Sequence, residues 1–314
     1  MCEIEEKKVY LDPKNTDASG INFVSHAHSD HLPSKNGGQI LTSIETNEIA
    51  NLRGFKMENH IQNLDDYFLI DSGHILGARG LLFDGIFYTG DICTRNRGFL
   101  KGARIPKCRT LITECTFGLP EFVFPKTDII QKQVNELISD LYGKGIPVIL
   151  LGYQLGKAQT ITQLFGHWGP LYFHDSVKQM NLLHKKLGVS LKDGIGHSEA
   201  QRKGLLDKKP WVMVAPMMSS KSNFLKEMKS MYGAVTIGFS GWAQSTRFNF
   251  GRGADYSIPM SDHCDFDELV DMVLRSGAEQ VYTIHGFVEE FAQHLRKLGI
   301  NAQPLRENSL DNFS

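Results

Sequence analysis

Short apolar runs closed by turn residues dominate residues 1–115 of the chain. Several runs are almost continuously apolar, which predicts strands that are buried on both faces. These runs are KKVYLD, INFVS, GQILTS, YFLIDS, GLLFDG, IFYTG and TLITEC. The pattern therefore predicts a strand-dominated first part.

Helical periodicity first appears in residues 127–143, where Thr127 is the predicted N-cap and Gly143 the predicted stop. Beyond this helix, strand-like and helical stretches alternate. Strands are predicted in IPVILLGY, PWVMVAPMM, AVTIGFSG and AEQVYTIHG, and helices in the region 157–209, in FDELVDMVLRSG and in EEFAQHLRKLG. The alternation predicts an α/β protein, and the polar residues 301–314 are expected to be peripheral.

Composition changes this picture little. The 314 residues are 41% hydrophobic and 22% charged, as in ordinary globular proteins. No apolar run approaches the roughly 20 residues that cross a bilayer, and the charged start MCEIEEKKVY lacks a signal core. The five cysteines lack paired spacing, so we expect reduced thiols in a cytoplasmic protein. A net charge of -1 argues against a wholly basic nucleic-acid coat, but not against a local basic groove.

The stretch INFVSHAHSDHLPS places four metal-type donors directly after an apolar run: His26, His28, Asp30 and His31. Imidazole nitrogens and carboxylate oxygens are usual zinc ligands. Alternate residues on an extended strand end point the same way, so His26 and His28 could hold one ion together. Asp30 and His31, where the chain turns, could then serve a second ion. A polar turn with clustered histidines is the alternative interpretation.

Two later stretches fit the same scheme. DSGHILGA places His74 in a turn bracketed by glycines, and FYTGDI places Asp91 just past an apolar strand. Each is weak evidence alone, because a strand-end aspartate is more often a turn former than a ligand. Their order after the histidine cluster strengthens both.

The series SHAHSDH, GHILG and YTGD resembles the metallo-β-lactamase superfamily, an αβ/βα sandwich with metals at one edge. The resemblance implies two zinc ions, with manganese as the alternative ion. It implies that His26, His28 and His74 hold one ion, that Asp30 and His31 hold the other, and that Asp91 bridges them. Asp12 in YLDP matches the family's early aspartate, which orients the ligands from behind.

Three further motifs are similar to the β-CASP branch, nucleases that carry an inserted cap domain. LITECTFG supplies Glu114, SDHCDFDEL supplies His263, and YTIHGF supplies His285 as a further ligand of the second zinc. Compact relatives include archaeal mRNA 3′-end processing factor-like proteins and bacterial ligase-associated exonucleases. The resemblance implies a discontinuous metallo-β-lactamase domain, residues 1–151 and 255–314, and a cap of residues 152–254. Without the series, a structural role would be the more common interpretation of Glu114 and of His263.

The implied reaction is hydrolysis of a phosphodiester bond. Asp30 would orient the attacking hydroxide, His263 would protonate the leaving oxygen, and Glu114 would hold the His263 ring. Residues 94–110 contain six basic and no acidic residues. We expect Arg95, Arg97, Lys101 and Arg104 to bind the phosphates of single-stranded RNA or DNA. A solvated basic loop is the alternative.

By resemblance, His285 favours an RNA-processing exonuclease, and a DNA exonuclease or repair nuclease is the alternative. Two other function classes remain. A non-catalytic RNA-processing subunit would have lost ligands, whereas this chain retains the set. A lactonase or thioesterase would not need Glu114, His263 and His285. Cleavage polarity, protein partners and oligomeric state are left open.

Overall fold

The computed structural model describes residues 2–4, 7–35, 37–245 and 253–305. The chain forms two compact units. Unit 1 comprises Met1–Asn96, Leu100–Pro120 and His263–Ser314, and unit 2 comprises Arg97–Phe99 and Glu121–Asp262.

The secondary-structure elements are numbered in chain order. The strands are β1 (Cys2–Ile4), β2 (Lys7–Leu11), β3 (Ile21–Phe23), β4 (Ile40–Leu41), β5 (His60–Ile61), β6 (Phe68–Asp71), β7 (Arg79–Phe83), β8 (Ile86–Tyr88), β9 (Thr110–Cys115), β10 (Val148–Gly152), β11 (Leu171–Phe173), β12 (Ile195–Gly196), β13 (Val212–Pro216), β14 (Val235–Phe239), β15 (Tyr256–Ile258), β16 (Gln280–Gly286) and β17 (Ala302–Pro304). The helices are α1 (Ile44–Leu52), α2 (Thr127–Gly143), α3 (Lys157–Phe165), α4 (Asp175–Lys186), α5 (His197–Arg202), α6 (Asn223–Tyr232), α7 (Phe266–Ser276) and α8 (Val288–Lys297).

Unit 1 contains two mixed sheets that share one core. The first has the order β1-β2-β3-β4-β5, with only the β1–β2 pair antiparallel. The second has the order β17-β16-β9-β8-β7-β6 and is antiparallel at its β8-β7-β6 end. Phe23 and Leu41 of the first sheet pack in one cluster with Ile112 and Tyr282 of the second.

The second sheet of unit 1 is apolar on both faces, as its continuous runs predict. On β8, Ile86 and Tyr88 face the core between the sheets, whereas Phe87 packs with residues of α7 and α8, including Leu269 and Phe291. Because side chains alternate along a strand, β8 needs apolar residues at every position.

Unit 2 is a parallel six-stranded sheet with helices on both faces, in the order β12-β11-β13-β10-β14-β15. On β10, Val148 and Leu150 pack in a cluster that contains residues of α2, α3 and α4. Ile149 and Leu151 pack instead with residues of α5 and α6. Parallel strands buried in this way account for the apolar run IPVILLGY.

Most of the predicted elements are present, and the helix predicted over 127–143 has these bounds. Lys126, rather than Thr127, is the N-cap, and its side chain makes no capping hydrogen bond.

In the polar tail, residues 302–304 form strand β17 beside β16, and this strand was not predicted. Residues 306–314 lie outside the described residues. The predicted cap, 152–254, lies within unit 2, which also contains α2 and β10; the predicted boundaries stay a prediction. None of the described helices is long and apolar enough to cross a membrane.

A buried histidine in unit 2 should make stability sensitive to acid. The Nδ1 atom of His184 donates to the carbonyl oxygen of Met180 at 2.9 Å, and no described group pairs with Nε2. Burial lowers the pKa of His184 to about 4, although the Met180 hydrogen bond raises it. In the unfolded chain His184 has the ordinary pKa of about 6.5, so the unfolded chain binds a proton at this imidazole more tightly than the folded chain does. The stability of the fold is therefore unaffected by His184 above about pH 6.5 and falls as the pH is lowered towards 4.

We therefore expect wild-type protein to lose roughly 2–3 kcal/mol more stability than His184→Gln between pH 7.5 and pH 4. Urea unfolding curves at the two pH values measure this difference. The exposed His167 offers a matched control, since His167→Gln should follow wild type. Equal losses in wild type and His184→Gln would contradict the prediction.

Candidate metal centre

The candidate ligands of unit 1 come from residues just beyond the ends of three strands. His26 and His28 follow β3, His74 follows β6, and Asp91 follows β8. Two glycines allow the last two turns. Gly73 has φ +67°, and a Cβ there would lie 2.3 Å from the carbonyl oxygen of Cys93. Gly90 has φ +55°, and a Cβ there would lie 2.7 Å from the Cβ of Ser25.

Four donor atoms from these turns converge on one point. His28 Nδ1 lies 3.0 Å from His26 Nε2 and 3.2 Å from His74 Nε2. Asp91 Oδ2 lies 3.3 Å from His26 Nε2 and 3.5 Å from His74 Nε2. An ion with bonds of about 2.0–2.1 Å holds tetrahedral donors roughly 3.3–3.4 Å apart, so the four atoms fit a single zinc-sized ion.

Of the remaining predicted ligands, His31 lies beside the second oxygen of Asp91, and Asp30 and His285 lie beside His31. His31 Nε2 is 3.6 Å from Asp91 Oδ1 and 3.8 Å from Asp30 Oδ2. The ring of His285 has its centre 5.5 Å from that of His31. Asp91 therefore presents Oδ2 to one group of donors and Oδ1 to another. The side chain of Asp30 is 79% exposed, which leaves this second group open to solvent.

Asp12 organises the histidines from behind. Its Oδ2 accepts hydrogen bonds from Ser25 Oγ at 2.6 Å and from His31 Nδ1 at 2.7 Å. Ser25 Oγ lies 2.9 Å from His26 Nδ1, and because its own proton goes to Asp12, it must accept the proton of His26. His26 therefore carries its proton on Nδ1 and directs an Nε2 lone pair towards Asp91, and His31 would do the same once it loses its Nε2 proton. This is the tautomer that a metal ligand needs.

Buried charge is balanced within this group of residues. Burial lowers the pKa of His31, but the nearby carboxylates of Asp91 and Asp12 outweigh it and raise the pKa to about 10. Burial opposes ionisation of Asp91, but the neighbouring His31 and His26 hold its pKa well below the usual range. Burial lowers the pKa of His26 and His74, so both stay neutral. An ion at this site would displace the proton of His31.

Glu114 and His263 form a hydrogen-bonded pair beside the donors. Glu114 Oε1 accepts from His263 Nδ1 at 2.7 Å and from the amide of Ile92 at 2.9 Å. Its Oε2 accepts from the amide and hydroxyl of Thr116, at 3.1 and 2.5 Å. Asp91, Glu114 and His263 lie close enough together to hold an ion. All four lone-pair positions of the Glu114 carboxylate, however, accept these hydrogen bonds. Glu114 is therefore a residue that positions the His263 ring rather than a ligand.

The four predicted nucleic-acid-binding residues have different surroundings. Arg95 forms an ion pair with Glu268 and donates to the carbonyl oxygen of His263 at 2.7 Å. Arg97 is 2% exposed and forms an ion pair with Asp262 at 2.6 Å. Lys101 and Arg104 are exposed. Binding of phosphates by these four residues stays a prediction, and Lys101 and Arg104 are the accessible members.

Sequence reasoning missed three side chains that hold the site. Ser25 links Asp12 to His26, Tyr88 donates to Asp12 Oδ2 at 2.7 Å, and Thr116 occupies Glu114 Oε2. Each stands one to three residues from a predicted site residue. That proximity is the only signal in the sequence, because serine, tyrosine and threonine have many other uses at strand ends.

Comparison with known proteins gives partial matches, and no family model matches the chain. A probable DNA ligase of Opitutus terrae is 28% identical over 308 residues, 92% of this chain. An RNase J-like protein of Methanocaldococcus jannaschii is 32% identical over 31% of the chain. The transcription termination factor FttA of Methanothermobacter thermautotrophicus is 27% identical over 41% of it. The matches span 29%, 25% and 23% of these three relatives, respectively, less than a third of each.

A solved structure shares the fold. The crystal structure of a protein of unknown function from Enterococcus faecalis V583 superposes with a TM-score of 0.57. The similarity covers 92% of this chain and 79% of that one, at 15% sequence identity. At this identity the match shows a common α/β fold and nothing about activity.

Removing the charge of Asp12 should weaken metal binding. In Asp12→Asn the side chain can no longer accept all the hydrogen bonds that set the tautomers of His26 and His31. We expect zinc affinity to fall about 10- to 100-fold, measured by competition with a chromophoric chelator. Asp17→Asn is the matched control, because Asp17 is exposed and bonds Ser19 locally. Unchanged affinity in Asp12→Asn would show that Asp12 does not orient the ligands.

Proposed function

We propose that this chain is a metal-dependent nuclease that hydrolyses phosphodiester bonds. The observation that carries the proposal is the arrangement in unit 1 of two donor groups that share Asp91, with the Glu114–His263 pair beside them. The relatives named RNase J-like protein and transcription termination factor FttA support a nucleic-acid substrate. Neither a lactonase nor a thioesterase is suggested by any of these names.

The family we propose is the β-CASP branch of the metallo-β-lactamase superfamily. Two sheets with a shared core, and helices α7 and α8 on the outer face of one of them, agree with the αβ/βα sandwich. The separate parallel sheet of unit 2 supports an inserted cap, for which residues 152–254 are the proposed bounds, between domain segments 1–151 and 255–314. Strands β10 and β15 of the same sheet extend beyond these bounds on either side.

Two zinc ions are the cofactors we propose. His26, His28, His74 and Asp91 would hold one ion, and Asp30, His31, Asp91 and His285 the other. When bound, the pair would supply a hydroxide near neutral pH and neutralise charge on the phosphate. The donor set of imidazoles and carboxylates, without thiolates, also suits manganese.

The chain's own residues would complete the reaction. The exposed carboxylate of Asp30 can accept a proton from water and orient it. His263 keeps Nδ1 against Glu114, so its Nε2 faces Asp91 Oδ2 at 4.0 Å, and from this nitrogen it would donate a proton to the leaving oxygen. Glu114 holds the ring in this orientation and stabilises its charged form.

DNA is the substrate we favour, with an exonuclease as the mode of cleavage. The relative that matches 92% of this chain is named a probable DNA ligase, whereas the two RNA- or transcription-related relatives match less than half of it. RNA is the second candidate, favoured by His285 and by the name of the RNase J-like relative. The broader match outweighs a single histidine.

A time course on end-labelled single strands tests the activity and the substrate together. Matched DNA and RNA, each with a 5′-phosphate or a 5′-hydroxyl, should give stepwise shortening that is faster on DNA. A chelator should stop the reaction, and added zinc or manganese should restore it. Faster cleavage of RNA would select the second candidate, and cleavage of neither polymer by metal-loaded protein would refute the proposal.

Loss of His263 should impair chemistry and spare the metal. We expect His263→Gln to lower turnover on DNA by about 10²- to 10⁴-fold. The zinc content per chain, measured by atomic emission spectroscopy, should stay that of wild type. His294→Gln is the control, since His294 packs on Phe266 at the far end of α8 from His285. Near wild-type turnover in His263→Gln would exclude it as the proton donor.

A further inference from the structure

Arg53 is fixed beside the ligand loop, residues 26–31, without being a ligand. It caps the C-terminal end of α1, and its Nη1 donates a hydrogen bond to the carbonyl oxygen of Ala27. Ala27 stands between His26 and His28, so the guanidinium is held against the start of the loop. That contact uses one of the five N–H groups that an arginine offers.

The charge of Arg53 is not neutralised as that of other buried arginines is. Three other arginines of the described chain are partly or fully buried, Arg79, Arg95 and Arg97, and each lies within 4.0 Å of a carboxylate. In the same described part, no carboxylate lies this close to Arg53, which is also partly buried. Burial lowers the pKa of Arg53, and the more distant Asp30 raises it.

Burying part of a cation away from water without a neighbouring anion is unfavourable. Binding of an anionic substrate would remove this cost. The carboxylate of the ligand loop, Asp30, lies 3.8 Å from His31 and more than 4.0 Å from the guanidinium of Arg53, so it acts on Arg53 only from a distance. A guanidinium with unused parallel N–H groups matches the two free oxygens of a phosphodiester.

We propose that Arg53 binds a phosphate of the nucleic-acid strand that flanks the scissile phosphate. This inference rests on the proposed nuclease function. The scissile phosphate belongs at the donor groups around Asp91, whereas Arg53 lies on the carbonyl side of the loop that bears them. A substrate that contacts both places must therefore extend beyond the bond being cleaved.

The test compares a polymer with a substrate that has no flanking phosphate. Metal-loaded wild type, Arg53→Met and Arg53→Lys are assayed on a single-stranded DNA and on bis(p-nitrophenyl) phosphate. Arg79→Met is the matched control, because Arg79 also donates to a main-chain carbonyl, that of Ala78, but has Glu45 and Asp71 as partners. Zinc content is measured for every variant.

We expect Arg53→Met to raise KM on DNA about tenfold or more and to leave kcat/KM on bis(p-nitrophenyl) phosphate unchanged. Arg53→Lys, which keeps the charge but not the fork of donors, should lose less on DNA, and Arg79→Met should match wild type. An equal loss on both substrates, or a fall in zinc content, would show that Arg53 only supports the loop. No loss on DNA would also overturn the proposal.

Binding without turnover separates this inference from the proposed activity. A fully phosphorothioate single strand keeps its charges and resists hydrolysis. The slope of log affinity against log salt should be smaller by about 0.7 in Arg53→Met than in wild type, as expected when one phosphate contact to a single strand is lost. If wild type binds this strand through Arg53 but cleaves no polymer, the proposed function fails and the phosphate contact stands. If slopes are equal, the contact fails even where cleavage is observed.

Discussion

The carboxylate of Asp12 is the interaction on which the candidate site depends. It accepts hydrogen bonds from the amide and hydroxyl of Ser25, from His31 Nδ1 and from the hydroxyl of Tyr88. Asp12 itself has φ +44°, a conformation that costs of order 1–3 kcal/mol in a residue other than glycine. Those contacts bring β2, β8 and the residues after β3 together. The same hydrogen bonds therefore hold Asp12 in its strained conformation and orient the histidine ligands.

The fold was predictable where burial dictates composition. Strands β8 and β10 are covered on both faces, and an uninterrupted run of apolar or aromatic residues leaves a signal that needs no knowledge of the partners. Strand β17 left no such signal, because 302–304 pair only with β16 at a sheet edge and tolerate a polar sequence. The same reasoning applies to β5, which has two residues, both partly exposed.

The candidate site was predictable as a set of donors, but not as a geometry. Imidazoles and carboxylates crowded at strand ends are rare by chance, and His26, His28, His74 and Asp91 do lie together. The sequence could not show that Arg95 and Arg97 are occupied by Glu268 and Asp262, because those acids lie more than 160 positions away along the chain. A basic stretch in a sequence shows how many charged residues it contains. The fold is needed to show which of those charges are neutralised by acidic residues elsewhere in the chain.

That distinction explains why the arginines differ in what they can do. Arg97 and Asp262 are both almost fully buried, so an incoming phosphate would have to displace a partner that no solvent could replace, at a cost of several kcal/mol. Arg53 faces no such exchange, since its side-chain hydrogen bond in the described part of the chain is to a neutral carbonyl, that of Ala27, which leaves most of its donors unused. A substrate anion would then gain the full charge-assisted interaction. Availability for binding thus follows from the missing internal counter-charge, and the number of basic residues in a stretch is a poor guide to it.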